Sequence, residues 1–234
     1  MNFRLKFKSI QISSYNLLKI SPLASLIRSR SYSQFWEDRL ILRLLNSNIG
    51  SYVDIGAGAP TWGSNTYLLY KKGWRGVCVD PIKFYMDLHK IIRRHDRHYR
   101  SLVSSDTSTI KFYELSPWEL STTNESIAKI RIQKGAQHIR SELIESMTLE
   151  KIYDENPMKR PALLSIDVEG SELSVLKSNN WVKYLPDIIC VEELNNPLFT
   201  PEIKLFLSNK GYELAAYNGV SSIYIWTKSE QLIS

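Results

Sequence analysis

Cysteine is scarce: Cys78 and Cys190 are the only two, each inside an apolar run, VCVD and IICVE. Thiols so placed give neither the spacing of a zinc site nor a disulfide framework, and they read as reduced packing residues of a cytosolic protein. Long apolar runs are missing too. Stretches such as IYIW at 223–226 last only a few residues, far short of the roughly 20 needed to cross a bilayer. Acid is absent from residues 1–36, which carry Arg4, Lys6, Lys8, Lys19, Arg28 and Arg30, whereas basic and acidic residues balance over the remainder. The net charge of +6 therefore belongs to the head, and the rest is neutral. A neutral domain without a basic stripe interleaved with aromatics argues against nucleic acid as a partner. The head lacks an unbroken apolar core and an A-x-A site, which argues against a secretory signal. Its readings, in order, are a flexible tail, peripheral contact with an anionic membrane, and a transit peptide.

What is present fits a basic segment over 1–32 followed by one domain over 33–234, a length sufficient for one well-buried core. SYSQFWEDRLILRLL predicts a helix with Ser33 as N-cap, acids in its first turn, and Trp36, Leu40, Leu44 and Leu45 on one apolar face. YVDI, the glycine-bearing turn GAGAPTWGS, NTYLLYKKG and WRGVCVDP form a strand, turn, helix and strand, hence a parallel βαβ unit. MDLHKIIRRHDRHYR reads as a second crossover helix, its His89, His95, His98, Arg93, Arg94, Arg97 and Arg100 forming a solvated face. A lesser reading has some of these arginines gripping the phosphate of a sugar nucleotide or a lipid-linked sugar. SLV and IKFYEL are short strands, and the polar stretch 116–161 predicts helices over 127–140 and 149–153. ALLSID, SELSVLKS, DIICVEE and PEIKLFLSNKG continue as strand, helix, strand and helix, and Asn218-Gly219 predicts a hairpin near the C-terminus. This order predicts an α/β, Rossmann-like, mostly parallel sheet of seven strands with one antiparallel strand near its end and helices on both faces. Ligands of such sheets bind at the carboxyl ends of the strands.

The turn D-I-G-A-G-A-P carries the first chemistry. Gly56 and Gly58 allow a tight turn and close backbone approach, but the third glycine of a nicotinamide dinucleotide fingerprint is replaced by Thr61. Asp54 at the first strand tip would repel a pyrophosphate, yet it suits the cationic amino group of S-adenosylmethionine. Asp80, 26 residues on, stands where a carboxylate can accept both ribose hydroxyls. Asp106, after the third strand, is a candidate for the adenine amino group, with a turn role as the alternative.

These segments, together with SQFWED, FYEL followed by LST at 120–122, MTLEKI, LLSIDVEGSELSVLKS and IICVEE, resemble the FkbM family of S-adenosylmethionine-dependent methyltransferases from about Ser33 to Lys228. The resemblance implies a class I methyltransferase that O-methylates a hydroxyl of a sugar or related natural product, often in surface polysaccharide biosynthesis. It carries the cofactor pattern onto Asp54, Gly56, Gly58 and Asp80.

In the IDVEG segment a strand ends in Asp167 and Glu169. A weakly nucleophilic hydroxyl gains from a nearby base, and Asp167 is the first choice, with Glu169 as helper or helix cap. If a divalent cation such as Mg²⁺ is used, Asp167, Glu192 and Glu193 are its expected oxygen ligands. His138 is a weaker candidate base. The competing activities are a nicotinamide-dependent oxidoreductase, disfavoured by Thr61 and Asp54, and a binding module without turnover on the same fold.

Overall fold

The computed structural model describes residues 31–160, 162–193 and 201–227. The basic head up to residue 30 lies outside them. In chain order the described elements are α1 (Glu37–Leu45), β1 (Ser51–Ile55), α2 (Tyr67–Lys71), β2 (Arg75–Val79), α3 (Lys83–Ile92), β3 (Arg97–Tyr99), β4 (Leu102–Val103) and β5 (Thr109–Ser116). A 3₁₀ turn (Trp118–Leu120), α4 (Glu125–Gln133), β6 (Gln137–Met147), α5 (Leu149–Glu155), β7 (Ala162–Ile166), α6 (Glu172–Lys177), β8 (Ile188–Glu192), α7 (Glu202–Ser208), β9 (Tyr212–Tyr217) and β10 (Ser221–Trp226) follow.

Seven strands form one sheet in the order β3-β2-β1-β7-β8-β10-β9. Pairings from β3 to β8 are parallel, and β10 runs antiparallel to both β8 and β9. The expected sheet is therefore present, and Asn218 and Gly219 turn the β9–β10 hairpin. Strand order reverses between β1 and β7, the place where such sheets open a ligand crevice.

Alternation along the strands divides the core in two. Val53, Ile55, Val77, Val79, Leu164, Ile166, Ile189 and Val191 face one way, against Leu149, Ile152, Val175, Leu176 and Leu207 of α5, α6 and α7. Tyr52, Cys78, Leu163, Ile188, Cys190 and Ile223 face the other, against Ile41, Leu69 and Met86 of α1, α2 and α3. Both cysteines are buried there as free thiols. Burial of these side chains contributes about 1.5–3 kcal/mol each before conformational entropy is subtracted.

Three local expectations are corrected. In α1 the inward residue is Ile41, with Leu40, Leu42 and Leu45 beside it, while Trp36 and Leu44 are exposed. The helix read over 86–100 stops at Ile92, and Arg97–Tyr99 adds a strand to the sheet. Residues 137–147 form a strand, not the end of a helix: β6 pairs antiparallel with β5 and parallel with β4 in a separate three-stranded sheet. Residues 117–136, between β5 and β6, form an excursion that contributes to the crevice wall. No helix among the described residues is long and apolar enough to cross a membrane.

Candidate active site

A cavity of about 430 Å³ opens at the carboxyl ends of β1, β2 and β7. Its floor is the turn after β1. Gly56 (φ +73°) donates its N–H to Val79 O at 2.9 Å, and a Cβ here would lie 1.7 Å from Asp167 O. Only glycine fits, because the turn after β7 crosses directly over it. Gly58 (φ +53°) is held at both ends of its residue: its N–H donates to Asp80 Oδ2 at 2.9 Å, and its carbonyl accepts from His89 Nε2 at 3.0 Å. His89 is fully buried and its Nδ1 has no partner, so the Nε2–H tautomer is the one that satisfies the carbonyl. Burial, reinforced by the Arg93 charge, holds its pKa well below the ordinary histidine value.

Asp80 ends β2 and lines the cavity. Its Oδ1 accepts the Ile82 N–H at 2.8 Å, and burial raises it to about pH 6 although both backbone donors oppose the shift. Each oxygen keeps a lone pair for a further donor. Ile82, Tyr85, Leu102 and Phe112 line the same region and give it apolar walls.

At the other end stand the acids. The register Ile166↔Val191 between β7 and β8 puts the next residues, Asp167 and Glu192, side by side on one face. Glu169 returns to the same spot because its backbone is left-handed, φ +56°. Oxygens of Asp167, Glu169 and Glu192 lie within 4.8 Å of one another. Desolvation, then repulsion from Glu192 and Glu169, pushes Asp167 well above the usual carboxylate range. Its side chain is open to the cleft, so the neighbouring charges are the firmer cause. Glu192 is raised to about 7, by burial first and then by Glu169. Burial also raises Glu169, against the pull of Arg131, whose Nη2 donates to Glu169 Oε2 at 2.9 Å. Arg131 Nη1 donates to Leu120 O at 3.0 Å, so one guanidinium joins the excursion to the acid turn.

The remaining expected residues are placed elsewhere. Glu193, one residue beyond Glu192, points to the opposite face and accepts from Tyr224 OH at 2.9 Å, so Glu169 replaces it in the trio. Glu169 does not cap α6, whose N-cap position Ser171 makes no side-chain capping bond; Glu172 in the first turn instead braces the acid turn, accepting from the Gly170 N–H at 3.0 Å. Asp54 does not line the cavity. Its carboxylate accepts from Thr66 Oγ1 and lies 3.9 Å from Arg93 Nη1, with burial raising its pKa. Asp106 is exposed in a turn outside the cavity lining, and His138 is exposed beside Ser141 Oγ. Arg93, expected on a solvated face, is fully buried: Nε donates to Asp96 at 2.9 Å and Nη2 to Thr66 Oγ1 at 2.9 Å. Asp96 also accepts from Tyr52 OH and the Gly76 N–H.

Sequence reasoning missed Arg131, His89 and the aromatic wall. Trp62 and Trp118 line the cavity, and Trp118 packs edge-on to Tyr85 with centroids 4.9 Å apart. No basic residue is among the described residues that line it.

That lining bears on what the site could hold. A dinucleotide brings a diphosphate, and none of the described lining residues is a cation that could meet it. The nucleoside of S-adenosylmethionine brings a ribose diol and an adenine, for which Asp80 and its apolar neighbours fit, and the glycine turn leaves the floor free of side chains.

Two solved structures are similar to the chain at a low level. A precorrin-6y C5,15-methyltransferase from Geobacter metallireducens is 13% identical with a TM-score of 0.44, covering 82% of this chain and 87% of its own. A protein described as an RNA methyltransferase from Pyrococcus horikoshii is 11% identical with a TM-score of 0.44, covering 82% and 83%. No curated protein matches the chain. The methyltransferase FkbM domain matches residues 54–214, from the end of β1 into β9 and across both ends of the cavity. The chain belongs to the FkbM methyltransferase family, whose chemistry uses S-adenosylmethionine.

Proposed function

We propose that the protein methylates a hydroxyl of a saccharide or related metabolite. The observation that carries this reading is the polarity of the cavity: Asp80 at one end, paired acids at the other, aromatic walls between them and no cation among the described lining residues. S-adenosylmethionine supplies an electrophilic methyl group. The chain's own residues must seat the nucleoside, hold the acceptor and remove a proton.

Asp80 accepts from the ribose hydroxyls, while Gly56 and Gly58 let the ligand approach the backbone. Trp62 and Trp118 offer apolar faces to the C–H side of a sugar ring, and Glu119, Ser121 and Thr122 supply polar groups beside them. Asp167 and Glu192 act as one unit with one proton between them. As the acceptor hydroxyl loses its proton to Asp167, Asp167 passes its own to Glu192. Such general-base assistance contributes roughly 100-fold to 10,000-fold. Arg131 opposes the upward shift of Glu169 and holds its carboxylate beside the pair.

A divalent cation is the competing occupant of the same oxygens. Glu169 is already paired with Arg131, which weakens the case for one.

Calorimetric titration with S-adenosylhomocysteine tests the cofactor end, and Asp80→Ala should weaken it roughly 100-fold through two lost charge-assisted hydrogen bonds. Transfer of labelled methyl to a panel of glycans and sugar nucleotides, with and without EDTA, tests the acceptor end. Methylation of amines but not hydroxyls would overturn the acceptor reading, and binding without turnover on any acceptor would favour a binding module. EDTA-sensitive transfer would replace the shared proton with a metal.

A further inference from the structure

The opposite end of the sheet holds a second concavity, of about 440 Å³, and nothing in the methyl-transfer reading uses it. It lies where the parallel strands begin, beside Ser51 of β1, Arg75 of β2 and Arg97 of β3, and is closed by residues 156–160 after α5. Arg75, His95, Arg97, Lys159 and Arg160 line it, and no carboxylate is among the described residues that do. Arg160 is paired with Asp187 outside the lining. Arg75 is fixed by its own surroundings: Nη1 donates to the carbonyls of Tyr70 and Trp74, and its guanidinium stacks 4.8 Å from the Tyr70 ring centroid. Neither Arg75, Arg97 nor Lys159 has a carboxylate partner among the described residues.

We infer that this concavity binds a phosphate-bearing group. Like charges gathered from three separate segments repel one another, so their convergence without counter-ions leaves a favourable place for an anion. Forked guanidinium donors from different directions suit a multi-oxygen phosphate or diphosphate better than a single carboxylate, which one fork already satisfies. The immobilised Arg75 lowers the entropy lost on binding. The site is distinct from the cleft. β1, β2 and β7 run from one to the other, and the acids at the far end would repel the same ligand. Two sources can present this chemistry: a free phosphate compound, or the headgroup of an anionic lipid against which Ile49, 72% exposed on the rim, would rest.

The test uses the full chain and an Arg97→Glu/Lys159→Glu variant. Both are titrated with inorganic pyrophosphate in excess S-adenosylhomocysteine, and both are floated with phosphatidylcholine vesicles with and without phosphatidic acid. The wild type should bind one of these probes, with affinity falling as salt rises from about 50 mM to about 300 mM. The variant should bind it roughly 100-fold more weakly, having lost two charged contacts. Thermal melting and an unchanged S-adenosylhomocysteine affinity certify that the variant is folded. Loss of pyrophosphate binding identifies a soluble phosphate as the source, and loss of vesicle binding alone identifies the lipid. The basic head is common to both proteins, so only their difference counts. Absence of binding to either probe by the wild type, or equal binding by the folded variant, overturns the inference. A third form, Arg97→Gln/Lys159→Gln, should fall between the two; if the charge-reversed chain does not fold, this neutral pair decides the matter.

Discussion

Two groups of carboxylates sit on the same face of the same sheet and behave in opposite ways. Around Arg93, Asp54 and Asp96 are closed off from water, and every acid meets a guanidinium, a hydroxyl or a backbone N–H. Around the cleft, Asp167, Glu169 and Glu192 crowd together with one cation among them and remain open to a cavity. The first group has its charge balanced internally and serves the fold. The second is left out of balance at the place where a ligand would enter, which is how groups poised for proton transfer are recognised. Burial and charge compensation both separate the two, and they go together: the acids shut away from water are the ones whose charge is met.

Breaking the balanced group should have the largest effect. Arg93→Met leaves two acids buried without their cation, a loss of about 3–5 kcal/mol, a large share of a typical domain's stability. Urea denaturation should show a transition shifted to much lower denaturant, and a midpoint within error of wild type would reassign Arg93 to packing alone. Breaking the unbalanced group should spare the fold. Asp167→Asn is expected to lower kcat by roughly 100-fold to 10,000-fold while S-adenosylhomocysteine affinity stays within about threefold. A normal rate in this variant would remove Asp167 from the chemistry.

The pH dependence sharpens the contrast. An acid raised to about 7 gains its basic form only as pH climbs through that value, so the rate should increase across neutrality and then level off. Glu192→Gln should lack this rise; a wild-type profile that is flat from acid to neutral pH would count against the pair. His89→Leu removes the donor to the Gly58 carbonyl and should weaken S-adenosylhomocysteine by roughly tenfold, whereas His89→Gln, which can still donate, should recover most of it. Equal affinities for both replacements would make His89 a packing residue. The smallest change is expected from Asp54→Asn. If this acid serves the balanced group, stability drops but cofactor affinity moves by no more than about threefold; a loss as large as that of Asp80→Ala would return Asp54 to the ligand.

Much of this arrangement is legible in the sequence because it follows from local rules. A glycine turn between two apolar runs, an acid ending each run and an Asn-Gly pair in the last third are enough to order most of the sheet and to place Asp80 and Asp167 on its rim. Period-two alternation distinguishes Glu192 from Glu193 once the strand end is known, but that end is not visible in IICVEE. For Glu169 the sequence leaves helper and helix cap equally open, because the left-handed backbone that returns it to the acids lies outside any periodic pattern. The strand Gln137–Met147 resembles a helix in composition, since it is exposed over most of its length and has no buried alternation to betray it. Arg93 looked solvated because its compensating acids, Asp54 and Asp96, come from separate elements, and such pairing is set by three-dimensional contact. Arg131 had no local signal at all.

The single guanidinium clasp between the excursion and the acid turn has a practical consequence. Residues 117–136 leave and rejoin the scaffold at neighbouring strands, Ser116 pairing with Gln137, and carry Trp118 to Thr123 of the cavity wall. A segment inserted there from a relative could change which molecule is modified without disturbing the nucleoside seat, provided it brings its own arginine to Glu169. On the proposed reading, the protein would then divide into an interchangeable selector and a permanent engine.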